Sequence, residues 1–507
     1  MQNVLQEKKH IVVASSIYLI LWIVSSLFLI HGINADSISY FSISKKYFDG
    51  NFSEAINAYW GPLFSWLIIP AFLIKIEPHI FARILFGIFS VALFFLVDKY
   101  LIRFELNKNI RSLGIYFFVL PALFFSFYRL TPDYLLLIIT LAYVYVVSDK
   151  NYWEKKNQVI ISSILGAIMF LTKSYGLIFF IVYQTILVLM EHYSSKRISR
   201  NILLNYFLSL VVLSIFISPW IFLLSNKYGA FTVSTSGAIN IRIVNPELNF
   251  KHPPIESGFA EPSDQYSISA WDDPDLEAYP EWNPLSFSNI KYFLTNTAKN
   301  VLKLIIFILA FSPLLSSLII FIRKKEIENK ILVKILFAGI IYGLGYTTIY
   351  VENRYIWPSC VLITIIGVFI LNSFYEKIFT NSLKSAVISF LIIISFIPFF
   401  IYGITQQLPN TKAYYQAKSL KNNLEISGNI ASTNYWDHGL ALSYFLNSKF
   451  YGTEKLPLNK PELLEKAKKM GINYIFDYSN NAQSPNGLKF IGKIDSISVY
   501  KIVEQTP

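Results

Sequence analysis

The sequence has little cysteine and little charge. Cys360 is the single cysteine among 507 residues, so no disulfide can form within the chain and a zinc–thiolate site is excluded. Only 15% of the residues are charged, whereas soluble domains carry about 25%. The sequence also has no glycine-rich phosphate loop and no HExxH helix, so it lacks the parts of an ATP-driven machine. With 54% hydrophobic residues and a mean hydropathy of +0.46, it is predicted to be a polytopic membrane protein.

The positive charges occupy short loops between apolar runs. The net charge of +12 therefore indicates the positive-inside pattern and no nucleic-acid partner. Lys8 and Lys9 precede the first run, residues 11–30, which places the N-terminus in the cytoplasm. That run has about 20 residues, longer than the apolar part of a signal peptide, and is interpreted as a retained first span. The run at 61–76 is short and contains two prolines, which suits a re-entrant or interfacial helix.

The lengths of the apolar runs predict an all-α polytopic membrane domain of about eleven transmembrane helices, residues 1–405. Its two main external loops are residues 31–60 and the polar segment 225–297. Residues 406–507 have ordinary soluble periodicity and are predicted to form a small α/β extracytoplasmic domain. In this domain we predict strands at 429–433 and 472–479, helices at 436–446 and 460–471, and a final hairpin from LKFIGKI and ISVYKIV.

Four segments on the side opposite the Lys and Arg clusters contain charged residues. Asp36 is the first acid after the first span, and an acid so close to a membrane face is often functional. Asp133, Lys173 and Arg354 lie in three later turns on the same side. We therefore expect Asp36, Asp133 and Arg354 to converge on one external cavity.

The sequences around these charges resemble a known superfamily. The stretches are ADSISYFSISKKYFDG (35–50) with YWGPLFSWL (59–67), FSFYRLTPDYLLL (125–137), LGAIMFLTKSYGL (165–177) and ENRYIWP (352–358). Their order and common side resemble the polytopic GT-C glycosyltransferases, close to the protein O-mannosyltransferase and aminoarabinose transferase branch. The resemblance covers residues 1–405. The pairs Thr131–Pro132 and Gly61–Pro62 depart from the usual pattern, which leaves the substrate open.

The resemblance implies transfer of a sugar, with inversion, from a polyprenyl-phosphate donor to a hydroxyl of a glycan, lipid or protein acceptor. It implies action at the extracytoplasmic face of a prokaryotic plasma membrane. The implied catalytic carboxylates are Asp36, as general base, and Asp133. The implied phosphate-binding cations are Arg354 and Lys173, with Arg83 and Arg129 in reserve. The implied substrate-binding residues are Tyr40, Tyr59, Trp60, Tyr355 and Glu352.

Simpler interpretations remain open for several of these residues. Arg354 and Lys173 could snorkel to the interface, and Arg83 could anchor a span. Asp133 could cap the next helix, Glu352 could simply pair with Arg354, and Tyr40, Tyr59 and Trp60 could belong to an aromatic belt.

Two polar groups outside those motifs are interpreted as surface features. No cofactor is assigned, although the acidic run Asp272, Asp273, Asp275 and Glu277 could bind a divalent cation; a solvated loop face is the simpler interpretation. Asp437 and His438 are interpreted as surface residues.

Two rival classes also have many spans. A polymerase or ligase of lipid-linked glycans would carry catalytic arginines in a long external loop and no early acid motif. A transporter or flippase would place ionisable residues or broken helices at mid-membrane.

Overall fold

The computed structural model describes residues 8–195, 199–323, 328–374, 382–478 and 487–503. Several residues that entered the topology prediction lie outside this part of the chain: Lys196, Arg197, Lys324, Lys325, Lys377 and the C-terminal Pro507.

Helices make up most of the described chain. In the first half they are α1 Lys9–Leu29, α2 Ala35–Phe48, α3 Phe52–Ala55, α4 Pro62–Leu73, α5 Pro78–Arg103, α6 Lys108–Tyr116, α7 Val119–Tyr128, α8 Asp133–Val147, α9 Lys156–Thr172, α10 Tyr175–Ser195, α11 Arg200–Tyr228, α12 Ser236–Ile243 and α13 Pro253–Glu256. In the second half they are α14 Ile290–Phe311, α15 Pro313–Ser317, α16 Lys330–Thr347, α17 Trp357–Ser373, α18 Ser382–Ser395, α19 Ile397–Leu424, α20 Trp436–Phe445 and α21 Pro461–Lys469.

The helices confirm the predicted helical membrane architecture. Within the described ranges, nine helical segments are long and apolar enough to cross a bilayer. Three shorter apolar helices accompany them, at Pro62–Leu73, Asp133–Val147 and Lys156–Thr172. The first of these is the predicted short helix, and it begins with Pro62 where a missing N–H has no cost. The number of crossings remains a prediction.

The long polar segment contains no span, as predicted, but it is not a loose loop. Its Trp271 and Asp272 are buried against α2. The Asp272 carboxylate accepts the Ser42 hydroxyl at 2.5 Å and the Ile268 N–H at 2.8 Å. The interpretation of the acidic run as a solvated face is therefore wrong for Asp272, because α2 offers this carboxylate a hydrogen-bond donor that the sequence does not reveal.

The C-terminal sheet contains six strands in the order β1-β3-β2-β4-β6-β5. The strands are β1 Gly258–Phe259, β2 Ile430–Ser432, β3 Phe450–Thr453, β4 Tyr474–Asp477, β5 Leu488–Ile494 and β6 Ile497–Ile502. Strand β2 is parallel to β3 and β4, while β6 is antiparallel to β4 and β5. These strands, with α20 and α21, confirm the elements predicted after residue 406.

Two features connect this sheet to the helical part. Strand β1 comes from the long loop and pairs with the edge of β3, which the sequence did not predict. Helix α19 continues past residue 405 to Leu424, so one helix leads from the apolar part of the chain into the sheet. The division of the chain at residues 405 and 406 remains a prediction.

Candidate active site

A cavity of about 520 Å³ opens where the N-terminus of α2, three helix-connecting turns, the long loop and α20 meet. Asp36, Asp133, Lys173 and Arg354 all line it. The structure thus brings together four residues that the sequence placed on one side of the chain. Their catalytic and binding roles remain predictions.

Asp36 lies in the first turn of α2. At the start of this helix the backbone N–H of Asn34 donates to the Ser37 hydroxyl at 2.9 Å, and that hydroxyl donates to the Asn34 carbonyl at 2.6 Å. Its Oδ2 is 2.7 Å from Nη2 of Arg354, and its Oδ1 accepts the indole N–H of Trp271 at 3.3 Å. Burial alone would raise the pKa of Asp36, but the charges of Arg354 and Arg129 outweigh burial and hold the pKa below its usual value. Asp36 is therefore an ionised carboxylate at neutral pH.

Asp133 is the first residue of α8, directly after Pro132. Its Oδ1 accepts the Lys173 ammonium at 2.8 Å, and its Oδ2 accepts the Thr131 hydroxyl at 2.7 Å. Its Oδ2 also lies 3.8 Å from Nη1 of Arg354. The carboxylate is thus engaged in an ion pair, and no side-chain cap bond is made at this helix N-terminus.

Arg354 is the centre of the charge network, and its side chain is only 7% exposed. Besides the two aspartates, its Nε donates to Glu352 Oε2 at 3.0 Å. Glu352 also holds Arg129 through an Oε1–Nη1 contact of 3.1 Å. The network therefore joins three carboxylates to three cations. Because the Arg354 side chain is buried, it does not snorkel to the interface. The ion pair that the sequence suggested between Glu352 and Arg354 is present.

Lys173 follows the last turn of α9, where the backbone becomes extended. Its ammonium lies 3.8 Å from the ring centroid of Tyr355, in cation–π contact. Burial lowers the pKa of Lys173, although Asp133 acts in the opposite direction. Lys173 faces the cavity and Asp133, so the snorkelling interpretation is also wrong for this residue.

The predicted aromatic residues form one wall of the cavity. The Trp60 ring lies at centroid distances of 5.1 Å from Tyr40 and 4.5 Å from Tyr59. Its indole N–H donates to the carbonyl of Trp271 at 3.1 Å. Burial raises the pKa of Tyr40 and of Tyr59 well above the usual value, so both hydroxyls stay protonated and can donate hydrogen bonds.

Arg83 does not line this cavity. Its guanidinium is fully buried and donates to the carbonyls of Gly32 and Ser126, each at 2.6 Å. Because these backbone acceptors hold the side chain elsewhere, its position does not support the reserve role in phosphate binding. Arg129, the other reserve, does line the cavity.

Sequence reasoning missed the residues that the long loop and the C-terminal region contribute. Trp271, His252, Trp436 and His438 also line the cavity. Burial lowers the pKa of His252 to about 4, although Asp36 raises it, so its imidazole is neutral at neutral pH. His438 is half-buried, with Nδ1 2.8 Å from the Tyr478 hydroxyl, so the surface interpretation is wrong for it. No local signal in the sequence marks these residues.

The arrangement can bind an anion and accept a proton. A phosphate can replace carboxylates as the partner of Arg354, because arginine presents parallel N–H groups to either anion. Asp36 lies next to that guanidinium and can take a proton from a bound hydroxyl. In the described part of the chain, no three His, Cys, Asp or Glu ligand atoms cluster inside the cavity.

Comparison with solved structures tests the predicted fold. No protein-family model matches the sequence, and no curated protein sequence matches it significantly. The structure of ArnT from Cupriavidus metallidurans bound to undecaprenyl phosphate aligns with a TM-score of 0.57 at 12% identity, over 98% of this chain and 99% of ArnT. The arabinofuranosyltransferase AftD from Mycobacteria aligns with a TM-score of 0.50 at 12% identity, over 98% of this chain and 40% of AftD. The chain therefore has the GT-C type of fold, which is the fold of the ArnT and AftD structures.

Proposed function

We propose that this protein is a membrane glycosyltransferase that moves a sugar from a polyprenyl-phosphate-linked donor to an acceptor hydroxyl with inversion. The observation that carries the proposal is the cavity in which Asp36 contacts Arg354 at 2.7 Å, with Lys173 and Arg129 nearby. The GT-C fold supports it, as does the lipid phosphate bound in the ArnT structure.

The donor phosphate is held by Arg354, Lys173 and Arg129. In the described structure each of these cations pairs with a carboxylate: Arg354 with Asp36, Lys173 with Asp133, and Arg129 with Glu352. These pairs compensate the charge of the buried Arg354 and of the partly buried Lys173 and Arg129, since an unpaired buried charge is costly. When the donor binds, its phosphate replaces part of the carboxylate charge beside Arg354.

Asp36 is the general base. It accepts the proton of the acceptor hydroxyl while that oxygen attacks the anomeric carbon, and the bond from that carbon to the phosphate oxygen breaks. The sugar leaves on the acceptor, the polyprenyl phosphate leaves as an anion, and Arg354 and Lys173 stabilise its growing charge. When the phosphate shares the Arg354 charge, the pKa of Asp36 rises, which makes Asp36 a better base once donor is bound.

Asp133 acts mainly by positioning. Its carboxylate holds Lys173 at 2.8 Å and is itself fixed by Thr131, so the ammonium is aimed into the cavity. Because Asp133 also approaches Arg354, it is the second candidate for the base if Asp36 proves dispensable.

The sugar and acceptor contact the aromatic wall. Tyr40, Tyr59 and Trp60 offer ring faces for the apolar face of a sugar, and the two tyrosine hydroxyls offer donors. The distribution of Lys and Arg supports an extracytoplasmic position for the cavity. The acceptor hydroxyl belongs to a glycan, a lipid or a protein.

The test uses the purified full chain in nanodiscs with a panel of radiolabelled polyprenyl-phosphate sugars. We expect one donor to release free polyprenyl phosphate as its sugar moves to an acceptor or, slowly, to water. Movement of intact lipid-linked sugar across the bilayer without cleavage would instead indicate a transporter. If no donor in the panel is cleaved although undecaprenyl phosphate binds, the transferase proposal is wrong.

A further inference from the structure

Three side chains with metal-binding atoms meet outside the substrate cavity. His31 follows the end of α1, and Glu77 and His79 lie at the start of α5. Nδ1 of His31 is 3.0 Å from Nε2 of His79, which is 3.3 Å from Oε2 of Glu77. All three ligand atoms lie within 4.8 Å of one another.

We propose that His31, Glu77 and His79 form a binding site for one divalent ion of the zinc class. Ligands bound about 2.1 Å from zinc in tetrahedral geometry lie about 3.4 Å apart. The separations of 3.0 and 3.3 Å that involve Nε2 of His79 are close to this value, and the third separation, between His31 and Glu77, is at most 4.8 Å. Two imidazoles with one carboxylate favour zinc or a similar transition metal over magnesium and calcium, which prefer oxygen ligands.

The surroundings hold the two imidazoles in place. The His31 ring stacks on Tyr414 with a centroid distance of 3.6 Å and an interplanar angle of 5°. His79 is fully buried, with its ring 5.6 Å from that of Phe445. Glu77 has a side chain that is 57% exposed, which leaves an entry path and room for water as a fourth ligand.

One nearby cation opposes binding of a metal ion. Arg83 lies one turn along α5 from His79, but its guanidinium donates to the carbonyls of Gly32 and Ser126. The Glu77 carboxylate supplies the negative charge that offsets it.

A bound ion would join the ends of α1 and α5. The segment that follows His31 leads directly into α2, whose first turn carries Asp36. The ion would therefore fix the start of the segment that places this carboxylate. The site itself is separate from the proposed transfer reaction and does not depend on it.

The test measures metal content and thermal stability of the full chain in detergent. The protein is stripped with a chelator, incubated with zinc sulfate, desalted and analysed for zinc per chain. We expect one zinc per wild-type chain and a Tm that rises when zinc is added. His31→Phe, which keeps a ring against Tyr414, and Glu77→Gln should lose both the zinc and the rise in Tm. His192→Phe, a histidine change on α10, is the matched control and should keep both.

The same measurements can overturn the site. Glu77→Gln changes an exposed side chain, so its metal-free Tm should match that of metal-free wild type. If this variant still binds a full equivalent of zinc, or if wild type binds none, the site does not exist. Zinc that is lost from His252→Ala and retained in His31→Phe would place the ion in the substrate cavity and would also refute the proposal. The test measures zinc content and Tm but no sugar transfer. A negative result would therefore refute the metal site without bearing on the proposed glycosyltransferase function.

Discussion

Replacing Asp36 by asparagine separates the two tasks that the structure gives to the Asp36–Arg354 pair. Asparagine keeps the size of the side chain and can still accept the Trp271 indole N–H, which lies 3.3 Å from Oδ1. It cannot take a proton from a hydroxyl, and it carries no charge for the guanidinium 2.7 Å away. The substitution therefore removes the base and also releases one partner of Arg354.

Turnover and donor affinity should respond in opposite directions. General base catalysis contributes about 10²–10⁴-fold to a rate, so turnover of Asp36→Asn should fall by that factor. A hydrogen bond between charged groups contributes about 1.5–3 kcal/mol. Donor phosphate must compete with that bond for Arg354 in the wild type, so donor should bind up to about ten- to hundredfold more tightly to the variant. Arg354 stays in place because Glu352 still holds its Nε at 3.0 Å.

The assay pairs both readouts on one preparation. Transfer rate is measured with saturating lipid-linked donor, and the Kd of undecaprenyl phosphate is measured by titration in nanodiscs. Asp49→Asn is the matched control. It lies just after the C-terminal end of the same helix α2, where it pairs with Lys45 at an exposed position. Because exposed ion pairs contribute little, this control should leave rate and affinity unchanged.

Two results would refute the reasoning. Full activity in Asp36→Asn would show that another group, with Asp133 the first candidate, takes the proton. Loss of donor binding together with activity would show that Asp36 positions the donor. The proposal that the Asp36 carboxylate and the donor phosphate compete for Arg354 would then be wrong.

Three further predictions follow from the same structure. Arg354→Lys keeps the charge but loses the planar fork, so lipid phosphate should bind about ten- to hundredfold more weakly in the nanodisc titration; unchanged affinity would contradict the phosphate assignment. Burial raises the pKa of Asp272 to about 6, so the folded state holds this proton more tightly than the unfolded chain does. The free energy of unfolding should therefore fall by about 3 kcal/mol as the pH rises from about 4 through 6. Melting curves of Asp272→Asn should lack that dependence, and an identical pH profile in variant and wild type would contradict it. A reporter fused after Pro507 should be active only outside the cytoplasm, since about eleven spans from a cytoplasmic N-terminus end on the other side; activity in the cytoplasm would refute the topology.

The sequence by itself determined the class of protein and the long apolar helices, but not the helix Ala35–Phe48 inside the predicted external loop. These properties are local: an apolar run of sufficient length must be helical in a bilayer, and Lys and Arg at its ends bias its orientation. The same local reasoning placed Asp36, Asp133, Lys173 and Arg354 beside the ends of apolar runs on one side of the chain, and it found the strands and helices after residue 406 from their periodicity.

The tertiary structure alone decided which side chains meet. Trp271 reaches Asp36 across 235 positions of sequence, and Asp272 reaches Ser42 across 230. No periodicity encodes such contacts, because they depend on how the long loop docks on α2 and pairs with the C-terminal sheet. For the same reason the sequence could not tell that Arg83 is held by backbone carbonyls away from the cavity. Local patterns fix elements, whereas burial and ion pairing are set by neighbours that only the folded chain brings into contact.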